Sequence, residues 1–261
     1  MFERSHEVAL NFQDKGDGDP VLMIHGVGSD LESWDGLLSY LSPDRRYIRF
    51  DLRGHGRSRQ TPGPYTLQDF VHDAVALLDH CGIEQASLVG FSLGGLIAQA
   101  IALTHPRRVK NLSLISTVAG RSAEERQRVR QRADTLESEG ADSHLADAVD
   151  RWFSDKFREA NPTVLEARRR KSLENNPECY ASAYRVLAEN DLGPELSAIK
   201  CRTIISTGEH DIGSTPRMAE FIHRKIEGST LHILPGLKHS LLLEAPDQLA
   251  NIIDPFLSAQ S

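Results

Sequence analysis

The chain has 261 residues, with 37 acidic and 30 basic side chains and a net charge of −7. That balance gives no electrostatic reason to bind nucleic acid or an anionic membrane surface, so small molecules are the expected partners. With 39% hydrophobic and 26% charged residues, the chain has the composition of a soluble globular protein able to bury one large core, or a core and a small appended unit.

Cys81, Cys179 and Cys201 are odd in number and far apart, with no Cys-x-x-Cys pair for zinc or redox work. They read as reduced thiols. Met1 to Asp14 lacks the apolar stretch of a signal peptide, and no run approaches the roughly 18 apolar residues of a membrane span. The expected compartment is cytoplasmic.

Val8, Leu10 and Phe12 alternate with polar neighbours as in a half-exposed strand, and Lys15 to Pro20 reads as a turn. Val21 to Ile24 is a continuous apolar run, as in a strand covered on both faces. It ends at His25-Gly26-Val27-Gly28. A helix is expected over Glu32 to Leu41, then a strand over Tyr47 to Phe50 that stops at Asp51-Leu52-Arg53-Gly54-His55-Gly56-Arg57-Ser58, read as a loop that braces its surroundings. Thr66 with Asp69 marks the start of a helix, a short-chain variant of the capping box, and Gly82 suits its end. Ala86 to Val89 is the next strand. A helix after Ser92 ends before His105-Pro106, and Leu112 to Ile115 is a further strand. Strand and helix thus alternate over residues 20 to 119, which implies a parallel sheet with helices on both faces.

From Gly120 to Ser197 strand signals lapse and helical spacing takes over, including Leu145, Val149, Trp152, Phe153 and Phe157, and a helix behind Pro177 carrying Tyr180 and Tyr184. This segment reads as an inserted helical cap, dividing the chain into a core of residues 1–119 and 198–261 and a cap of residues 120–197. Arg121 to Arg132 and Arg168-Arg169-Arg170-Lys171 read as solvated helix faces, because 13 basic side chains between Gly120 and Asn190 are matched by 14 acidic ones. Strands resume at Thr203 and at Leu231 to Leu234, and a last helix covers Asp247 to Leu257.

Chemistry concentrates at strand ends. Gly90-Phe91-Ser92-Leu93-Gly94 places a serine where a strand turns into a helix, its flanking glycines allowing close backbone approach. A serine hydroxyl needs a base to take its proton and a carboxylate to hold that base's tautomer. His239, in the loop Gly236 to Ser240 between the last strand and last helix, is the candidate base. Asp211, in the loop after the Thr203 strand, is the candidate acid, with Glu209 as second choice. The backbone N–H groups of Leu93 and Val27 are candidate donors to an oxyanion. No His-Glu-x-x-His, phosphate-binding loop or Gly-x-Gly-x-x-Gly is present, so neither metal nor cofactor is expected.

His25-Gly26, Asp51-x-Arg53-Gly54-x-Gly56-x-Ser58, Gly90-x-Ser92-x-Gly94-Gly95, Gly208-x-x-Asp211 and His239 before Glu244-Ala245-Pro246 resemble the α/β-hydrolase superfamily over nearly the whole chain. Pro62-Gly63-Pro64-Tyr65-Thr66, Asp150-Arg151-Trp152-Phe153 and Asn176-Pro177-Glu178-x-Tyr180 look like 3-oxoadipate enol-lactonases, while the tail Leu237 to Glu244 departs from that pattern. The resemblance implies an α/β fold with an eight-stranded, mostly parallel sheet and a helical cap over a pocket; Trp152, Tyr180, Tyr184 and Trp34 are candidates to line it, with core packing as the other reading of each. It also implies a small and in several cases anionic substrate met by an arginine. The expected activity is hydrolysis of a lactone or ester through an acyl-enzyme. Cleavage of an amide or carbon–carbon bond in a ring-fission product, perhydrolase or haloperoxidase activity, and a non-catalytic receptor are the alternatives. The expected assembly is a monomer or homodimer.

Overall fold

The computed structural model describes residues 8–146 and 148–258. Seven strands form one sheet: β1 (Phe12–Lys15), β2 (Asp19–Ile24), β3 (Arg45–Phe50), β4 (Ala86–Phe91), β5 (Val109–Ile115), β6 (Arg202–Gly208) and β7 (Thr230–Leu234). Their order is β1-β3-β2-β4-β5-β6-β7, with β1 antiparallel to β3 and every other pairing parallel. The expected count was eight, so the sheet has one strand fewer among the described residues.

Parallel strands covered on both faces need apolar side chains at successive positions, and their period of two divides those side chains between two cores. In β2, Leu22 and Ile24 enter one core, with helices α2 (Leu67–His80) and α3 (Leu93–Thr104). Val21 and Met23 enter the other, with the single-turn α1 (Asp35–Leu38). Thr66 and Asp69 cap α2 reciprocally, as a full capping box.

Between β5 and β6 the chain forms α4 (Ala123–Glu139), α5 (Ala141–Ala146), α6 (Ala148–Trp152), α7 (Asp155–Ala160), α8 (Pro162–Leu173) and α9 (Pro177–Glu189). After β6 come α10 (Pro216–Lys225), α11 (Leu241–Glu244) and α12 (Pro246–Ser258). The α10 residues join the α2–α3 side of the sheet, and those of α11 and α12 join the α1 side.

Three local expectations change. The first strand lies later than the Val8–Phe12 alternation implies, because β1 takes its register from β3, with Phe12 opposite Phe50 and Lys15 opposite Tyr47. The helix expected over Glu32 to Leu41 is broken into a 3-10 turn, Leu31–Trp34, and the single turn of α1. Trp34 is not a pocket residue. It is fully buried and packs in the α1 core, so its large ring fills sheet-side volume instead of the cavity.

Candidate active site

Ser92 joins β4 to α3 with φ +54° and ψ −113°, a conformation that costs about 1–3 kcal/mol for a residue with a side chain. The surroundings hold it there. Its N–H donates to Ile115 O at 2.9 Å, and Thr117 Oγ1 donates to Ser92 O at 2.8 Å. The flanking glycines permit the close approach: a Cβ on Gly94 would lie 1.8 Å from Ile24 O, and one on Gly90 2.4 Å from Gly94 O. Leu93 opens α3, so its N–H is among the first four of the helix, which have no acceptor inside it.

β6 ends at Gly208, and the following turn buries Asp211. Its Oδ1 accepts from Gly213 N at 2.8 Å and Ser214 N at 2.9 Å. Its Oδ2 lies 2.7 Å from His239 Nδ1. A carboxylate only accepts, so Nδ1 carries the proton and Nε2 is left as the basic nitrogen. His239 is in the loop after β7, with the Phe91 ring 5.1 Å away, centroid to centroid. Glu209, the second-choice acid, instead accepts from Gly236 N at 2.8 Å.

The loop after β2 is braced from below. His25 Nδ1 donates to Gly26 O at 2.7 Å and Nε2 accepts from Leu52 N at 2.9 Å, which fixes a neutral imidazole; burial also pushes its pKa down. Asp51 accepts from Leu31 N (2.7 Å), Arg57 N (2.8 Å) and Asn11 Nδ2 (2.8 Å), so the Asp51–Ser58 loop is a brace as its sequence suggests.

Ser92, Asp211, His239 and Val27 all line one cavity of about 290 Å³, whose walls also include residues of α4, α6, α8, α9 and α11. Trp152, Tyr180 and Tyr184 line it as well. Burial raises the pKa of both tyrosines, so their hydroxyls stay neutral.

The sequence reads Arg168 as part of a solvated face. It faces the cavity instead, while Arg169 and Arg170 do not. Its Nη1 donates to Gly28 O at 2.8 Å and Ser172 Oγ at 2.5 Å, and its guanidinium lies 5.1 Å from the centre of the Trp152 ring. It forms no ion pair with a carboxylate among the described residues, and burial pulls its pKa below the ordinary arginine value. The adjacent cation, Lys171, is already paired with Asp30 and, at 2.5 Å, with Glu32. Val164, Arg168 and Lys171 all line the cavity and are four and three residues apart, which is one helix face. That spacing was the available signal. Arg121 also departs from a solvated face: it is buried, donating to Leu187 O at 2.8 Å and Asn190 O at 3.0 Å.

A family model described as alpha/beta hydrolase fold matches residues 19–246. The chain belongs to this family. A 3-oxoadipate enol-lactonase of Acinetobacter baylyi is 31% identical over 96% of this chain and 93% of its own length. An (E)-2-((N-methylformamido)methylene)succinate hydrolase of the same organism is 29% identical over 97% and 95%. The crystal structure of the enol-lactonase from Burkholderia xenovorans LB400 superposes with a TM-score of 0.90 at 28% identity, covering 97% of each chain. This α/β-hydrolase is therefore an enzyme of the hydrolase class. Among the described residues no group of His, Cys, Asp and Glu could hold a metal ion, and no helix is long and apolar enough to cross a membrane.

Proposed function

We propose that this α/β-hydrolase cleaves a small, anionic lactone or ester, of the enol-lactone type, through an acyl-enzyme on Ser92. The observation that carries the reading is the 2.7 Å contact of His239 Nδ1 with Asp211 Oδ2 in the wall of the cavity that also holds Ser92. His239 Nε2 takes the Ser92 proton as Oγ attacks the carbonyl. The N–H groups of Val27 and Leu93 hold the oxyanion, and the positive end of α3 favours the charge. His239 then gives the proton to the leaving oxygen, and water activated by the same nitrogen releases the acid. Asp211 keeps Nδ1 protonated and stabilises the imidazolium.

Arg168 supports the anionic substrate: an enclosed guanidinium with no carboxylate partner has unmet capacity for one. Similarity to an enol-lactonase and to an (E)-2-((N-methylformamido)methylene)succinate hydrolase supports the small-molecule class. The second of these relatives keeps amide-type substrates as an alternative, worked by the same residues. The proposed setting is the degradation of aromatic compounds in the cytoplasm.

The test is turnover of a panel of enol-lactones, esters and amides by wild type and Ser92→Ala. The variant is expected to lose on the order of 10⁴-fold or more in kcat. Wild-type turnover by Ser92→Ala would remove the nucleophile, and amides hydrolysed in preference to every lactone would move the substrate to the alternative. Arg168→Met is expected to lower kcat/KM for anionic substrates by about 10- to 100-fold more than for neutral ones, the range of a charge-assisted hydrogen bond.

A further inference from the structure

The loop bearing His239 and the loop bearing Val27 reach the same point of the helical insertion from opposite sides. On the His239 side, Lys238 Nζ donates to Asp150 O at 2.8 Å and lies 3.2 Å from Asp155 Oδ1. Ser240 N donates to Trp152 O at 2.9 Å. Glu244 accepts from Ser154 N at 3.1 Å and from Ser154 Oγ. These contacts straddle His239, at the residue before it, the residue after it and the end of α11. On the other side, Arg168 Nη1 donates to Gly28 O at 2.8 Å, one residue beyond Val27. The halves meet where the Arg168 guanidinium packs on the Trp152 ring at 5.1 Å. A continuous path therefore runs from His239 through Ser240, Trp152, Arg168 and Gly28 to Val27.

On the sheet side the two loops are joined by apolar packing: the Phe91 ring lies 5.1 Å from that of His239 and would meet a Cβ on Gly26 at 3.1 Å, and Trp34 and Leu37 share a core with Leu241 and Leu242. β2 and β7 are separated by β4, β5 and β6, a spacing of roughly 19 Å at about 4.8 Å per strand. Base and oxyanion donors carried on strands so far apart must both register on one reacting carbon, where an error of about 1 Å can cost about 100-fold. A stacked ring and guanidinium, tied to the two loops through the Gly28 and Trp152 carbonyls, add a second, polar constraint from the opposite side of the cavity.

We propose that Arg168 and Trp152 are positioning residues, anchored by Lys238 and Glu244, that set the base loop against the oxyanion loop through the helical insertion. The proposal rests on the Ser92, His239 and Asp211 reading. It differs from a simple anion subsite in one consequence: the residues act on substrates that carry no charge.

The experiment is hydrolysis of p-nitrophenyl acetate, a neutral ester, by wild type, Arg168→Met, Trp152→Leu, Lys238→Met, Glu244→Gln and Ser92→Ala, with circular dichroism and Tm recorded for each. In Arg168→Met and Trp152→Leu kcat is expected to fall about 10-fold or more with KM within about threefold; in Lys238→Met and Glu244→Gln the fall is about 3- to 10-fold. Lys238→Arg recovers most of the loss, and the rate at which a fluorophosphonate labels Ser92 falls in the same order. Wild-type kcat on the neutral ester in the folded variants, or a loss confined to KM, overturns the proposal and leaves Arg168 as an anion subsite only. Full turnover by Ser92→Ala overturns the nucleophile instead, so the two failures are read separately. Should Trp152→Leu not fold, Lys238→Met, whose side chain is 22% exposed, decides the question.

Discussion

α3 and α8 are equally long, at 12 residues, but α3 buries ten of its residues and α8 buries only Ser172. The first lies within the sheet half, where strand ends place Ser92, Asp211 and the Val27 loop through backbone hydrogen bonds and close glycine contacts. The second belongs to the helical insertion, where Arg168 and Lys171 face the cavity through side chains held by carbonyls and ion pairs. The proposed reactive groups are thus fixed by main chain, and the proposed selecting groups by side chain. Substitutions of residues that only support the backbone should accordingly cost more stability in the sheet half than in the insertion.

Two glycines give the sharpest test. A Cβ on Gly94 would meet Ile24 O at 1.8 Å and His25 O at 2.8 Å, backbone atoms at the end of a central strand and the start of its loop. Gly94→Ala is expected to cost about 4 kcal/mol or more, lowering Tm by about 10 °C at roughly 2–4 °C per kcal/mol. Gly140, between α4 and α5, has φ +85° and nothing within 4 Å of an added Cβ, so Gly140→Ala carries only the conformational cost of about 1–3 kcal/mol. Equal losses in thermal unfolding would erase the difference between the two halves.

A smaller effect comes from pH. His55 is buried beside His25, with its pKa pushed down to about 3 by burial, and His25 is lowered for the same reason. A group whose folded pKa is depressed contributes stability above the unfolded value, here about 6.5, and loses it as pH falls. In that window the unfolded chain binds the proton and the folded chain does not. His55 alone should therefore remove about 3 kcal/mol between pH 7 and pH 4.5. Carboxylates such as Asp14 and Glu125 are lowered from values already at or below 4.5, so their loss comes later. Urea midpoints against pH, in wild type and His55→Asn, check this: the variant's midpoint should depend less on pH from 6.5 to 4.5. An unchanged slope would place the acid sensitivity elsewhere.

The same division explains what the sequence made legible. Val21 to Ile24 reads as a buried strand because both faces need apolar residues, and the Thr66–Asp69 cap is a local hydrogen-bond pattern, so neither depends on distant partners. Ser92, Asp211 and His239 follow from strand ends and chain order. Trp34 and Arg168 could not be placed so, because burial in the α1 core and exposure to the cavity are both settled by packing between elements. The register of β1 and the break in the Glu32–Leu41 helix are also long-range effects: the first is set by β3, and the Leu31 turn is held by Asp51, 20 residues away. Charge counting over residues 120–190 averaged Arg168 with Arg169 and Arg170, although only the first shares a helix face with Val164 and Lys171.

The smallest effect concerns the outer surface of the insertion. Arg185 on α9 donates to Glu137 Oε1 at 2.8 Å and Oε2 at 2.5 Å, and to Asp134 Oδ1 at 2.9 Å, tying α9 to α4. Three short contacts look like a clasp, yet Glu137 and Asp134 are well exposed, so water and salt weaken the attraction and the ordered side chains cost entropy. Val129, Ala133 and Ala188, with Tyr184 against them, pack the same two helices together without charge. Arg185→Gln should therefore cost less than about 1 kcal/mol, and the difference from wild type should shrink further near 1 M salt, where the Debye length is about 3 Å. Tyr184 faces the cavity from the adjoining position of α9, and if apolar packing holds that helix, kcat and KM of Arg185→Gln stay within twofold of wild type. A loss above 2 kcal/mol that persists in high salt, or a shift in KM, would mean that charge and not packing sets the outer wall of the cavity.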